Sequence, residues 1–236
     1  AFDIRPYLPP GADIIHGHRP FVPIAELPSV WTMHGIRTSE HQYPPGMICL
    51  SADHARRLGC DTWVHNGLDP SEFRFEPRKG DYDLFLGRLR TIKGWRWAIE
   101  GARQANRKLI VAGGWRPTLR PGLKFVGEVG GQTNTDLLAE AACLWMPALW
   151  DEPFGLTLIE ALASGTPVLG TRRGALPEIV TPEVGALGTT LEELVELRDR
   201  IAAIDPAACR ERVERRFTHR TMAEAYLEVY RRKLAE

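Results

Sequence analysis

The chain has 236 residues, of which 44% are hydrophobic, so it can bury the core of one large domain or two modest ones. Thirty Lys plus Arg balance thirty Asp plus Glu, and this net charge of zero gives no overall attraction to nucleic acid or to an anionic membrane. No apolar run approaches the roughly 20 residues that span a bilayer, and no signal-peptide pattern precedes the first motifs. The four cysteines form no CxxC pair, which is typical of reduced thiols. We therefore expect a cytoplasmic protein without a nucleic-acid partner, and contact with a membrane surface stays open.

Short apolar segments in the first 70 residues predict the strands of a small α/β unit. They are DIIHGH (13–18), SVWTMHG (29–35), GMICLS (46–51) and DTWVHNG (61–67). Because little helix separates these strands and the chain opens with Ala, we interpret this unit as incomplete, with its front missing or supplied by a partner chain. The following stretch, GLDPSEFRFEPRKGDYD, is rich in Pro, charge and turn formers, and it predicts a linker.

Beyond residue 80, apolar runs alternate with helical stretches in a βαβ rhythm. This rhythm predicts a mostly parallel sheet covered by helices on both faces, with the ligand beyond the carboxyl ends of the strands. The final helical stretch carries an apolar stripe that must pack on another element. We therefore divide the chain into a partial N-terminal unit (1–70), a second α/β unit (71–215) and a C-terminal helix (216–236).

The densest motif is DEPFGLTLIEALASG, which predicts a helix that opens at Phe154 or Gly155. A helix N-terminus has unpaired N–H groups and a positive dipole end, so it favours a phosphate. Glu152 precedes this helix, and Glu160 lies about five residues inside it, or about 7.5 Å along its axis. The two carboxylates can thus contact groups on opposite sides of one phosphate, which is the layout of a nucleotide sugar.

A second motif, FLGRLRTIKG, places Arg88 after a strand that ends in Gly87, and it predicts that Lys93 lies at the start of the next helix. Two fixed cations can neutralise a diphosphate and stabilise a departing nucleoside diphosphate without a metal. A third loop, TRRGALPEIV, places Gly174 after the PVLGT strand and offers further backbone N–H donors.

Simpler interpretations compete for the histidines and tryptophans. His16 and His18 form an HxH pattern, but no third ligand lies at useful spacing, so we interpret them as strand-end histidines and expect no metal site. Most of the tryptophans are expected to pack in the core rather than on a sugar.

Taken in order, the motifs GRLRTIKG, LIVAGG, FVGEV, DEPFGLTLIEALASGTPV and GALPEIV resemble the donor-binding half of the retaining family 4 glycosyltransferases, which have the GT-B fold. The earlier segments DIIHGH, WTMHG, LSADHARRLG and WVHNGLD resemble the later part of the acceptor-side half. The resemblance implies two Rossmann-like units with parallel sheets, the N-terminal one incomplete, and a C-terminal helix packed back on it.

The resemblance also implies roles for individual residues. Arg88 and Lys93 would hold the donor diphosphate, and Glu160 would accept the ribose hydroxyls. His34 would lie near the reacting sugar carbon, so that His34, Arg88, Lys93 and Glu152 form the expected catalytic set. The base of the donor would lie against the backbone of Val126, Gly127 and Glu128. The remaining donor contacts would come from Gly174 and from Phe154, Gly155 and Leu156 beside the sugar phosphate.

The implied activity is transfer of a sugar from a UDP-, GDP- or ADP-sugar to an acceptor hydroxyl with retention of configuration, with no cofactor required. The acceptor, whether a sugar, a lipid or a small molecule, is not specified. Two alternatives remain: phosphorylase-like or epimerase chemistry on the same fold, and a non-catalytic nucleotide-sugar-binding subunit or fragment that needs a partner segment.

Overall fold

The structure is a computed structural model that describes residues 11–18, 27–35 and 43–236. These residues form two α/β units with parallel sheets, as the sequence predicts. The smaller unit contains β1 (Ile15–Gly17), β2 (Ser29–Thr32), β3 (Met47–Ile48) and α1 (Ala52–Leu58), with strand order β1-β2-β3. Its helix begins at the N-cap Ser51, whose side chain accepts from the His54 N–H, and ends at Gly59 in the left-handed region.

The larger unit is a six-stranded parallel sheet with helices between its strands. Its strands are β4 (Tyr82–Leu86), β5 (Lys108–Ala112), β6 (Leu123–Gly127), β7 (Cys143–Met146), β8 (Val168–Thr171) and β9 (Gly185–Gly188). Its helices are α2 (Trp95–Gln104), α3 (Gly131–Glu140), α4 (Leu156–Ala163), α5 (Leu176–Ile179), α6 (Leu191–Ile201) and α7 (Pro206–Arg216).

The strand order β6-β5-β4-β7-β8-β9 is that of a dinucleotide-binding Rossmann sheet. The order reverses between β4 and β7, which are adjacent and parallel, with Asp83 opposite Cys143. At such a reversal the two connecting segments leave in opposite directions and open a crevice at the carboxyl ends of the strands. The segments after Leu86 and Met146 flank this crevice.

Alternating side chains of the central strands supply a core on each face of this sheet. Leu84 and Leu144 pack with α3, α4 and α7, whereas Phe85 and Trp145 pack with α2 and α6. This period-two alternation covers both faces, so the sheet has a rigid, doubly buried centre from which the loops at its edge project.

The C-terminal helix α8 (His219–Leu234) packs on the smaller unit, as expected. Val229 joins Val30 and Ile48 in a small core, and Tyr226 and Tyr230 pack beside it. Among the described residues, no helix has the length and apolar content that crossing a membrane requires.

The structure differs from the sequence expectation at two places. DTWVHNG forms no strand beyond a single bridge between Trp63 and Cys49, because the chain turns away at His65, which bonds to Glu178 of the larger unit. The segment of Lys93 is a 3-10 turn (Thr91–Lys93) rather than the first turn of α2. Gly94, with φ of 74°, separates the turn from the helix.

Candidate functional site

A cavity of about 370 Å³ opens at the carboxyl edge of the larger sheet, beside the reversal point. Arg88 enters it from the loop after β4, and Glu128 from the loop after β6. Asn134 of α3 and Thr157 and Glu160 of α4 form another part of its wall. The volume is in the range of small-molecule sites, and the lining brings a cation and carboxylates together.

Glu160 is the fifth residue of α4, as the motif predicts, and it is half-buried. Burial raises its pKa above the usual range, and a side-chain hydrogen bond with Asn134 partly opposes this effect. The other side-chain atom of Asn134, Oδ1, is buried and has no hydrogen-bond partner among the described residues. The pair therefore presents one carboxylate and one unused acceptor in the same part of the cavity wall.

Lys93 and Glu152 form a direct ion pair next to this cavity. The Lys93 Nζ atom lies 2.6 Å from Glu152 Oε2, and the same oxygen accepts from the Trp150 indole N–H at 3.0 Å. The ammonium also lies 4.8 Å from the centre of the Trp150 ring. Glu152 is nearly buried, so its negative charge is held in place by a cation and an N–H donor.

Close packing of two loops explains why Lys93 and Glu152 meet. The loop that follows β7 is bonded to the 3-10 turn through Leu149 N–H, which donates to the Ile92 carbonyl at 2.8 Å. Gly94 fits against the same loop, since a Cβ atom there would lie only 1.8 Å from the Pro147 carbonyl oxygen. A residue without a side chain is therefore required for the two loops to approach.

The loop after β8 holds Glu152 from its other side. The Ala175 N–H donates to the Glu152 carbonyl at 2.9 Å. A Cβ atom at Gly174 would lie 2.4 Å from both the backbone N and the carbonyl O of Glu152, and the glycine has φ of 55°. Gly174 thus permits a close backbone approach that the sequence did not indicate.

We expect Gly174→Ala to destabilise the protein by about 1–3 kcal/mol, because the added methyl forces the Glu152 loop away in a tightly packed region. The displacement should also weaken diphosphate binding, since Glu152 and Lys93 move together. Chemical denaturation and calorimetric titration with nucleoside diphosphates measure the two effects. Gly130→Ala is the control, because a Cβ atom there meets nothing within 4 Å. Equal changes in stability and in diphosphate affinity for the two variants would contradict the packing role of Gly174.

The start of α4 combines buried and accessible residues. Gly155 is the N-cap with φ of 92° and provides no side-chain hydrogen bond, so the first N–H groups of the helix lack a cap. Phe154 is buried and packs near His65 and Phe217, with ring centres 5.8 and 6.0 Å away. Only the backbone of Phe154 is therefore open to a donor role, whereas Leu156 exposes half of its side chain.

The smaller unit contacts the residues on both sides of Glu152. The Ser51 hydroxyl donates to the Pro153 carbonyl at 2.8 Å, and Arg57 pairs with Asp151 at 2.8 Å. These contacts come from α1 and its N-cap. The Glu152 loop is thus held between the two units.

A second contact anchors the same helix. The Glu178 carboxylate of α5 accepts from the N–H groups of Ala52 and Asp53 at 2.9 and 2.8 Å. The His65 ring lies 3.0 Å from Glu178. A carboxylate at a helix N-terminus satisfies unpaired N–H groups and complements the helix dipole. The link joins the GALPEIV motif to the smaller unit.

His34 follows β2 by two residues, is exposed and is not among the residues that line the cavity. Its Nε2 atom is 3.0 Å from His18 Nδ1, and His18 in turn packs beside His16. Burial, and then the neighbouring His18, lower the pKa of His34. Within the described ranges, no group of three or more His, Cys, Asp or Glu side chains is arranged to hold a metal ion.

Val126 and Gly127 are the last two residues of the edge strand β6, and neither lines the cavity. Gly127 accepts from the Gly113 N–H at 2.7 Å, and Val126 packs against the core. Of the three residues expected at the base, Glu128 lines the cavity, together with the next residue, Val129.

Three residues at the site were not among those that the motifs indicated. Asn134 and Thr157 line the cavity, and Trp150 bonds to Glu152. For Thr157 and Trp150, proximity in sequence to the DEPFG motif was an available signal. Asn134 had none, because it belongs to a different helix that only the fold brings to α4.

A family model described as glycosyl transferases group 1 matches residues 81–205. The chain is also 30% identical over 154 residues to an uncharacterized glycosyltransferase of Methanocaldococcus jannaschii, a match that covers 52% of this chain and 39% of that protein. It is 30% identical over 223 residues to phosphatidyl-myo-inositol mannosyltransferase of Mycobacterium tuberculosis, with 74% of this chain and 59% of that protein covered. The chain thus spans about half the length of these curated relatives.

Solved structures give a concordant result. AviGT4, a glycosyltransferase involved in avilamycin A biosynthesis, superposes with a TM-score of 0.79 at 28% identity, covering 94% of this chain and 74% of that one. HepE of Anabaena, solved in complex with UDP, superposes with a TM-score of 0.74 over 86% of this chain and 72% of that one, and its 19% identity is evidence for the fold alone. The family model covers more than half of the sequence, so the chain belongs to the family of glycosyl transferases group 1.

Proposed function

We propose that this protein is a glycosyltransferase that moves a sugar from a nucleoside-diphosphate sugar to an acceptor hydroxyl with retention of configuration. One observation carries the proposal. Two motifs that are distant in sequence meet twice: Arg88 and Glu160 line the same cavity at the carboxyl edge of the sheet, and Lys93 and Glu152 form an ion pair.

In this proposal the donor diphosphate lies between the two cations and the start of α4. Arg88 offers a planar fork of donors and Lys93 a point charge, while the uncapped N–H groups after Gly155 face the same anion. Lys93 now pairs with Glu152, so donor binding exchanges that partner for a phosphate and leaves the Glu152 carboxylate for the sugar hydroxyls. Glu160 accepts the ribose hydroxyls at the other end.

The chemical step we propose needs no enzyme nucleophile. The acceptor hydroxyl attacks the anomeric carbon from the face that the diphosphate leaves, and the departing phosphate oxygen takes the acceptor proton. Arg88, Lys93 and the start of α4 stabilise the negative charge that develops on the diphosphate. We propose that His34 and Gly174 border the sugar end of the site and that Val126 and Gly127 support the base end.

The test is release of nucleoside diphosphate from UDP-, GDP- and ADP-linked sugars, with and without acceptors and in the presence of a chelator. Phosphatidyl-myo-inositol and D-inositol 3-phosphate are included among the acceptors, because they appear in the names of the mannosyltransferase relative and of a similar D-inositol 3-phosphate glycosyltransferase. Nuclear magnetic resonance of the product reports the configuration of the new bond. Donor binding without release under any acceptor would favour the non-catalytic alternative, and an inverted product would refute retention.

We expect Glu160→Gln to weaken donor affinity about tenfold, because the ribose hydroxyls lose a charged acceptor while the shape of the side chain is kept. The same variant should be more stable than the wild type at pH 7. Burial raises the pKa of Glu160, so its ionisation costs stability as the pH rises through that value. The stability gain should disappear below pH ~4.5, the usual pKa, where both forms are neutral.

Calorimetry measures the affinity of the Glu160 variant, and urea denaturation at several pH values measures its stability. Glu196→Gln is the matched control, since it makes the same chemical change on an exposed position of α6. An unchanged donor dissociation constant would make Glu160 an ordinary helix-face carboxylate.

A further inference from the structure

Two cysteines flank α1, the helix that contacts the Glu152 loop. Cys49 follows β3 directly and is fully buried, whereas Cys60 follows the Gly59 that ends the helix and is half-buried. They are eleven positions apart, so the sequence alone suggests no pairing. Nothing in the proposed transfer reaction uses either thiol.

The backbone brings both cysteines to the Thr62 carbonyl, Cys49 through its N–H and Cys60 through its thiol. Thr62 O accepts from the Cys49 N–H at 2.9 Å and from the Cys60 thiol at 3.2 Å. Cys60 Sγ also lies 3.1 Å from the Met47 carbonyl, two residues before Cys49 on the same extended segment. The Cys60 sulfur therefore lies beside the extended segment that carries Cys49.

The two side chains also interact directly. This interaction has the largest influence on both pKa values. It raises the pKa of the Cys49 thiol and lowers the pKa of the Cys60 thiol below the usual thiol range. Burial raises both values, and the adjacent Asp61 carboxylate opposes ionisation of Cys60. The result is one buried proton donor beside one more acidic, accessible thiol.

Cys60 is reachable from a cavity of about 1010 Å³ between the smaller sheet and the end of α8. Cys49 does not line it. The charged groups that face this cavity are Asp61 on the same loop and Arg232, Lys233 and Glu236 from the C-terminal segment. The cavity is large enough for a small disulfide reagent. Because only Cys60 lines it, such a reagent reaches Cys60 before Cys49.

We propose that Cys49 and Cys60 are a redox-active pair that forms a reversible disulfide by exchange with a low-molecular-weight disulfide. The Cys60 thiolate attacks one sulfur of the reagent, and the other sulfur leaves as a thiolate that takes a proton from solvent. Cys49 then loses its proton and attacks Cys60 of this mixed disulfide, releasing the second small thiol. Two protein thiols are oxidised, and one external disulfide is reduced to two thiols.

The bond would close a loop around α1. The helix donates to Glu178 and, through Ser51, to Pro153, so the disulfide would brace the element that holds the Glu152 loop. A cross-link of this kind restricts the unfolded chain, and the oxidised protein should therefore unfold at a higher temperature than the reduced protein.

The experiment treats the whole chain with oxidised glutathione and then alkylates the remaining thiols after denaturation. We expect the free thiols to fall from four to two, with a mass loss of two hydrogen atoms and full recovery after a reductant. Trypsin cleaves at Arg56 and Arg57, so the disulfide should join peptide 38–56 to peptide 58–74. Before oxidation, iodoacetamide should label Cys60 first, with a rate that rises at a lower pH than for an ordinary thiol.

Two variants complete the test. Cys60→Ser should abolish the linked peptide without a folding defect, since its side chain is only half-buried, and Cys209→Ala should leave the linkage intact. The proposal is overturned by four remaining thiols, by a glutathione adduct on Cys60 that Cys49 never displaces, or by a linked peptide that contains Cys143 or Cys209.

Discussion

Replacing Arg88 and Lys93 together with alanine should weaken nucleoside diphosphate binding at least about 100-fold and nucleoside binding only slightly. Each lost charge-assisted hydrogen bond costs about 1.5–3 kcal/mol, and the two losses act on the same diphosphate. A nucleoside lacks that group, so its affinity reports only the base and ribose contacts. Calorimetric titration of each variant with a nucleoside and its diphosphate gives the comparison.

The control for this experiment is Arg90→Ala, which removes an exposed cation from the same loop. Lys93→Ala by itself also leaves the nearly buried Glu152 carboxylate without its cation. Part of the loss of affinity in this variant would therefore come from rearrangement around Glu152. Lys93→Ala with Glu152→Gln separates the two contributions. Equal losses for nucleoside and diphosphate would refute the assignment of both cations.

Asp83→Asn should destabilise the protein by about 3–5 kcal/mol, the largest stability effect that we expect from a single substitution. Asp83 is fully buried in β4, where it accepts from Arg198 Nε at 2.7 Å and from the Trp145 indole at 2.8 Å. Arg198 is itself 4% exposed, so the neutral amide leaves its charge buried without a counterion. Urea denaturation measures the change.

Asp81→Asn is the matched control, because Asp81 lies two residues earlier and pairs with Lys108 on the surface. Solvent screens that pair, so its loss should leave the unfolding midpoint unchanged. The double variant Asp83→Asn with Arg198→Met should recover much of the lost stability, since neither partner is then charged. A small effect of Asp83→Asn alone would mean that water reaches the buried pair.

The sequence predicted the parts of the donor region that depend on local chemistry. A Gly at the start of an amphipathic helix predicts an open N-terminus, and α4 begins after Gly155 with Glu160 at its fifth position. A Gly-ended strand predicts a loop at the sheet edge, and Arg88 lies there. Both features follow from a few neighbouring residues, so a linear pattern contains them.

Other features could not be predicted because they depend on contacts between distant segments. The sequence predicts core packing for most of the tryptophans and gives no partner for Trp150, whose N–H bonds to Glu152. The expected strand at DTWVHNG was wrong, because the bond from His65 to Glu178 draws the chain away from the sheet. Each outcome is decided by a partner that is remote in sequence.

The parallel α/β class, the helix that starts near Gly155 and the apolar stripe of the C-terminal helix could all be predicted from the sequence. These depend on the periodicity of apolar residues and on turn chemistry, which act over a few residues. Three pairs could be found only from the tertiary structure: Lys93 with Glu152, Asn134 with Glu160, and Cys49 with Cys60. The reason is physical: such pairs form when packed strands and helices set the distance between segments, and no local pattern encodes that distance.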